Sequence, residues 1–260
     1  MGRKSEIDIL ASFDSLQAQS AADIVERTGL PRSTVFRALR QLSDDGFVSQ
    51  EPATSRYVLG PRMLQLGLIA REQLSLNELI APPLLSLASQ TRETITFSVV
   101  DLPWRLCAFV LEAPSDLRSV ALAGTRYPLH LGAASTAILA HLPADTAEEV
   151  LRFHGVPQRD LAKRMARLTE VCEAGAVVSV GQRVTGATSV AAPILTGDIV
   201  FGAVAIAGPS ERMAPRENEF ESLVIKVGGE LSDRLTQVHP PRQPDRRSQS
   251  HRRSLNGRAD

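Results

Sequence analysis

The first sixty residues carry short apolar helical faces separated by turn residues. Between Glu6 and Phe13, the side chains of Ile7, Ile9, Leu10 and Phe13 predict one apolar face of a helix. Ser20 stands where an N-cap belongs. It precedes a helix over Ala21–Arg27 with Ile24 and Val25 turned inward, and Gly29 ends that helix. Pro31 is suited to open the next helix at its first position, where the missing N–H costs nothing. That helix runs to Asp44 or Asp45, and Gly46 stops it. Two short strands, Phe47–Gln50 and Arg56–Leu59, follow on either side of a turn containing Pro52. Helix, helix, tight turn, helix, hairpin is the order of a winged helix-turn-helix.

A wheel drawn at about 100° per residue sorts the third helix into two faces. Val35, Ala38, Leu39 and Leu42 fall in one arc and face the core. Ser33, Phe36, Arg37 and Arg40 lie opposite, with Arg32 and Thr34 in the first turn. Arginine can grip a guanine edge with two hydrogen bonds, hydroxyls can donate to phosphate or base, and an apolar group can meet a thymine methyl. The outward face therefore has the chemistry of a major-groove reader. Arg56, beside Thr54 and Ser55 in the hairpin, is placed to reach adjacent backbone or minor groove.

Beyond Pro61 the pattern changes. Met63, Leu64, Leu66, Leu68 and Ile69 make a helix that is apolar on more than one side, as expected of one covered by a partner. After a helix over Leu76–Gln90, strand patterns appear at Glu93–Val100, Arg105–Glu112 and Ser119–Leu122. Helices follow over Ala134–Leu142, Thr146–Phe153 and Gln158–Ala174. Further strands fall at Val177–Val180, Thr188–Pro193 and Ile199–Ala207, and Glu217–Leu235 is a closing helix. The fold class read from this is α+β: a small helical DNA-binding domain over 1–60, a linker helix over 61–75, and an α/β domain over 76–236. Residues 237–260, rich in Pro, Arg, Ser and Gln, read as a disordered basic tail.

Composition narrows the function classes. The chain has 260 residues, is 43% hydrophobic and has a formal net charge of zero, so any DNA contact rests on local charge placement. The two cysteines, Cys107 and Cys172, exclude a disulfide framework and a multi-cysteine zinc site, which fits a reducing cytosol. No signal-peptide pattern and no span-length apolar run is present, so a cytoplasmic, membrane-free protein is expected. Catalytic motifs of the nucleophile-elbow, phosphate-loop, dinucleotide and zinc-protease types are missing. No enzyme activity and no cofactor or metal is expected. His130 reads as a packing or hydrogen-bonding residue, Cys107 as a small core residue and Cys172 as a buried, inert thiol.

The segment SAADIVERTGLPRSTVFRALRQLSDDGFVSQEPATSRYVLGPRMLQLG, residues 20–67, resembles the N-terminal domain of the IclR family of bacterial transcription regulators. Downstream, GTRYPLHLGAASTAILAHLP (124–143) and GATSVAAPILTGDIVFGAVAIAGPSERM (186–213) are similar to that family's sensing domain. The resemblance, over about residues 5–235, implies a winged helix-turn-helix, a linker helix and a GAF-like α/β sensor. It also implies dimers, often paired into tetramers on operator DNA, and a small-molecule effector. Carried over position by position, it places effector contacts at Ala133, Ala134, Ser179, Ser189, Ala205 and Ala207, with a flap over Leu117–Leu122. Alanines on the last strand where family members have serines point to a largely apolar or aromatic effector rather than a small polar acid. Gln182 stands where the family often has an acid, which removes one charge near the site. Two alternatives remain beside the effector-gated regulator: a redox-responsive regulator using Cys107 or Cys172, and a DNA-binding domain fused to an enzyme.

Overall fold

Apolar side chains repeating every three to four residues draw three helices around one small core. The computed structural model describes residues 2–14, 17–73 and 76–238. Helix α1 covers Gly2–Ala11, α2 Ala21–Thr28 and α3 Arg32–Asp44. Ile9, Ile24, Val35, Ala38, Leu39 and Leu42 are buried together. The predicted face of α1 is corrected in one respect. Ile7 is 65% exposed while Ile9 is buried, because residues two apart on a helix point away from each other.

The helix ends are chemically satisfied. The Ser20 hydroxyl accepts from the Asp23 amide, and the Asp23 carboxylate accepts from the Ser20 amide, a reciprocal cap at the start of α2. Gly29 leaves α2 in the left-handed conformation at φ 65°. Pro31 sits one position earlier than expected, as the N-cap of α3 rather than its first helical residue.

The wing is a hairpin of β1 (Val48–Gln50) and β2 (Tyr57–Leu59). Gln19 adds a third rung, exchanging backbone hydrogen bonds with Tyr57 at 2.9 and 2.7 Å. Gly60 then passes so close to Gly46 and Phe47 that a Cβ there would strike the Gly46 carbonyl. The Gly60 amide bonds Phe47 O, and the Arg62 amide bonds Gly46 O. This contact ties the wing to α4 (Pro61–Gln73), whose Leu64, Leu66, Leu68 and Ile69 are all exposed.

The chain divides into two compact units, Met1–Ile80 and Ala81–Asp260. The helix expected over Leu76–Gln90 is two elements: a five-residue π turn, Leu76–Ile80, and α5, Ala81–Thr91. Pro82 and Pro83 account for this, since neither can donate to a preceding carbonyl in a continuous helix.

Six strands build the second unit: β3 Thr94–Asp101, β4 Trp104–Leu111, β5 Arg126–Pro128, β6 Val177–Val180, β7 Ala187–Thr196 and β8 Ile199–Pro209. Their order is β5-β4-β3-β8-β7-β6, antiparallel throughout. Helices α6 (Ala133–Leu139), α7 (Ala144–Phe153) and α8 (Gln158–Ala174) cover one face, meeting Val177, Ala191, Ala203 and Ala205. The short helix α9 (Ser210–Met213) leads to α10 (Glu217–Val238) on the other face. There Gly228 approaches Pro193 O so closely that a Cβ would lie 2.8 Å from it.

Two expectations fail. Ser119–Leu122 is not a strand. The Cys107 backbone bonds Thr125 O and Gly124 N, and Arg126–Pro128 occupies the edge beside β4, so no pairing partner remains. Residues 237 and 238, expected to open the tail, belong to α10, which continues through Val238; the rest of that expectation, residues 239–260, lies outside the described residues.

The bend between β5 and α6 carries His130, whose ring stacks on His154 with centroids 4.8 Å apart and whose Nδ1 is buried without a partner. His154 Nε2 in turn lies 2.7 Å from Pro103 O. Desolvation, then His154 and Arg164, hold His130 below its usual 6.5.

Two predictions follow from this packing. Gly60→Ala should destabilise the N-terminal unit by about 1–3 kcal/mol, the cost of overpacking, seen as a lowered denaturation midpoint. For His130, the unfolded chain takes up a proton that the folded chain resists. Stability therefore falls as pH drops from about 6.5 through the lowered folded value. His130→Asn should flatten the difference between urea midpoints measured across that range; an unchanged profile would exclude His130 as the source.

Candidate functional site

Two surfaces concentrate chemistry outside the cores, one in each unit. On α3 the four apolar positions turn inward, which leaves Arg32, Ser33, Phe36, Arg37 and Arg40 exposed and Thr34 half-buried. Phe36 is 44% exposed, with the Arg32 guanidinium 5.5 Å above its ring. Arg37 and Arg40 make no ion pair among the described residues, so both heads are available to an outside anion. Phe36, Arg37 and Arg40 border a shallow groove that runs to Gln50 and Tyr57 of the wing.

Arg56 is engaged within the unit through Nη1. Its guanidinium bonds Ala18 O at 2.8 Å and the Asp23 carboxylate at 3.2 Å, bracing the wing against the start of α2. The Asp23 carboxyl is held below its usual range, first by the Ser20 amide and hydroxyl and then by Arg56 and Arg27. The wing tip turns through Ser55, a non-glycine residue at φ 56°, with its amide on Glu51 O.

The second surface is a cavity of about 50 Å³ on the α6 face of the sheet. Roughly 10–15 Å³ holds one water, so the space suits a compact organic molecule. Strand register builds its floor. Ser179, Ser189 and Ala207 form one row across β6, β7 and β8, and Ala205 pairs with Thr96 of β3 in the next. Residues directly opposite share a face, so all five side chains point the same way. Ala133 and Ala134 at the start of α6 close one side. The six positions expected to contact an effector thus border one cavity. Of the expected flap, Ser119 and Ala121 line it.

The flap is fastened at its base. Thr94 Oγ1 donates to Ser119 O at 2.8 Å. Arg212 forks onto the buried Glu93 carboxylate at 2.6 and 2.7 Å and reaches Leu117 O at 3.0 Å. Gly208 leaves the room that Glu93 occupies. On the far side Gln182 Oε1 accepts from the Gly132 amide at 3.1 Å, which docks the β6–β7 loop against the start of α6.

Sequence reasoning missed the cations of this cavity. Arg105 is only 6% exposed; its Nε donates to Ser135 Oγ at 3.0 Å and its Nη1 to Ser98 Oγ at 2.7 Å. Burial pulls its pKa down to about 10, with Arg183 adding to the effect, so it remains charged at neutral pH. Arg105 and Arg183 both stand over Tyr127, at 4.7 and 4.6 Å from the ring centroid. A signal was available: Arg105 lies two residues before Cys107, which reads as inward, and residues two apart on a strand share a face. The Cys107 thiol is buried and pushed up by that burial. Cys172, expected to be buried, is exposed, because α8 turns that side of its last turn to solvent.

Among the described residues no group of three or more His, Cys, Asp or Glu is placed to hold a metal, and no helix is long and apolar enough to cross a membrane. Two family models match the chain: the IclR helix-turn-helix domain over residues 7–52 and the bacterial transcriptional regulator IclR C-terminal domain over residues 70–233. The glycerol operon regulatory protein of Streptomyces griseus is 31% identical over 214 residues, 79% of this chain and 83% of that protein. The transcriptional repressor IclR of Escherichia coli is 24% identical over 220 residues, 81% of this chain and 80% of that protein. In fold, the chain resembles a candidate IclR regulator from Silicibacter, with a TM-score of 0.82 and 24% identity over 94% of this chain and 100% of that one. It also resembles an IclR homologue from Microbacterium hydrocarbonoxydans complexed with 4-hydroxybenzoate, at TM-score 0.78 and 22% identity, covering 90% and 99% of the two chains.

Proposed function

The chain belongs to the IclR family of bacterial transcriptional regulators, and from that premise we propose that it binds operator DNA through α3 and releases or tightens that grip when a small effector occupies the sheet cavity. The observation that carries the DNA half is the outward face of α3. Arg37 and Arg40 project from the second helix of a helix-turn-helix and form no ion pair among the described residues. Arg32, Ser33, Thr34 and Phe36 complete the reading face. Arg56 holds the wing through Nη1, which bonds Ala18 O and Asp23, and its Nε and Nη2 remain to reach the DNA backbone or minor groove.

The effector half rests on the cavity bordered by Ala133, Ala134, Ser179, Ser189, Ala205 and Ala207. Its alanines favour an apolar or aromatic body. The 4-hydroxybenzoate bound to the Microbacterium homologue supports a compact aromatic molecule here as well. The exposed leucines of α4 support a homodimer, because Leu64 at 66% and Leu68 at 53% exposure form an i, i+4 stripe suited to a second helix. Two winged helices on one dimer would read two half-sites, and effector affinity and DNA affinity would then change by the same factor.

Two experiments check this reading. Against a duplex selected by the protein from a random pool, Arg37→Ala and Arg40→Ala should each weaken binding by about 1–3 kcal/mol in a gel-shift titration. Unchanged binding in both variants would mean another surface meets DNA. In sedimentation, Leu64→Glu with Leu68→Glu should convert the full chain from dimer to monomer; a dimer that persists would move the interface elsewhere.

A further inference from the structure

Arg105 is an uncommon object, a guanidinium almost wholly removed from water with no carboxylate to balance it. It forms no ion pair among the described residues. A buried cation without a counter-charge is costly, and proteins keep one where something else supplies the charge. Two serine hydroxyls hold the group by Nε and Nη1, while Nη2 donates to no protein acceptor among the described residues. The guanidinium has five N–H donors in a fixed plane, so the two on Nη2 are left without a protein acceptor in a residue that borders the cavity.

Arg183 reaches the same place from the loop between β6 and β7. Its guanidinium has no hydrogen-bond acceptor and no carboxylate among the described residues, and it stands over the same Tyr127 ring as Arg105. Two cations that repel each other are thus brought together over one phenol. The lining contains no aspartate or glutamate, and Gln182 beside them is neutral. The other lining groups are hydroxyls, a thiol, small alanines and, at the rim, Val184. The charged groups of the lining are thus these two arginines, and alanines from α6, β7 and β8 supply its apolar surface.

We propose that Arg105 and Arg183, gathered over Tyr127, form an anion subsite, so that the effector is a carboxylate carried on a compact apolar body. The carboxylate accepts from Nη2 of Arg105 and from Arg183, and the body lies against Ala205 and Ala207 of β8. This rests on the cavity being the effector site and adds the ligand's charge. It also sharpens the sequence expectation: the alanines fit the body, and the missing serines are replaced as carboxylate partners by arginines from β4 and the loop.

The test uses matched pairs: benzoate, 4-hydroxybenzoate, phenylacetate and cyclohexanecarboxylate against their amides, on the full chain by calorimetry and thermal shift. The acids should bind about tenfold or more tightly than the amides, as expected for hydrogen bonds to a charged group. Arg183→Gln should abolish that preference. Because Arg183 lies on an exposed loop, this variant should keep the unliganded melting temperature, which is measured alongside. Equal binding of acids and amides, failure of every acid to stabilise the protein, or an acid preference that survives Arg183→Gln would each overturn the subsite. The regulatory reading fails differently: acids would bind in an Arg183-dependent way, yet leave affinity for the selected duplex unchanged.

Discussion

A single buried guanidinium organises the larger unit. Arg105 leaves β4, bonds Ser98 on β3, and bonds Ser135 on α6, whose hydroxyl then donates to Pro128 O at the end of β5. Three strands and a helix thus meet at one side chain, and those four elements are walls of the cavity. Replacing the contact with apolar packing would satisfy the same space with less electrostatic cost. Retaining the charge leaves donors facing the cavity and makes the walls and the ligand's partner the same group. Binding an anion there would stabilise the domain and fix the start of α6 together, which couples occupancy to structure.

The smaller unit relies on a comparable economy of backbone. The wing has only three residues in each strand, too little to stand alone. Gln19 adds a rung to one side, Arg56 ties the turn to the cap of α2, and the Gly46–Gly60 approach fastens the base to α4. These contacts hold the wing against the helices while spending none of the arginines on α3. Arg56 is therefore ion-paired on the wing, while Arg37 and Arg40 on α3 form no ion pair among the described residues.

Much of this was legible in the sequence, for reasons that differ by element. The inward face of α3 follows from helical period alone, and Val35, Ala38, Leu39 and Leu42 are the residues buried. The six cavity positions on α6, β6, β7 and β8 came from resemblance, and strand alternation explains why they converge. Period failed where tertiary contacts decide. Ser119–Leu122 has strand composition, but the edge it would need is taken by Arg126–Pro128, a segment too short to announce itself. The tie between Arg56 and Asp23 was not legible because the two are far apart in sequence. Arg105 was overlooked because an arginine in a strand reads as solvent-facing, although its alternation with the inward Cys107 puts it on the buried face.

The fastened flap has a kinetic consequence. Leu117 and Ser119 are held by Arg212 and Thr94, Leu122 by Tyr127 and Thr125, and Gly124 and Thr125 by Cys107, so the stretch between the first two anchors is residues 120–121. A gate this short can swing without unzipping a strand, and loop motions of that kind run from nanoseconds to microseconds. Residence time would then be governed by how firmly the ligand is gripped rather than by how slowly the door opens. A sensor built this way reports the current concentration of its ligand, with little memory of the past one.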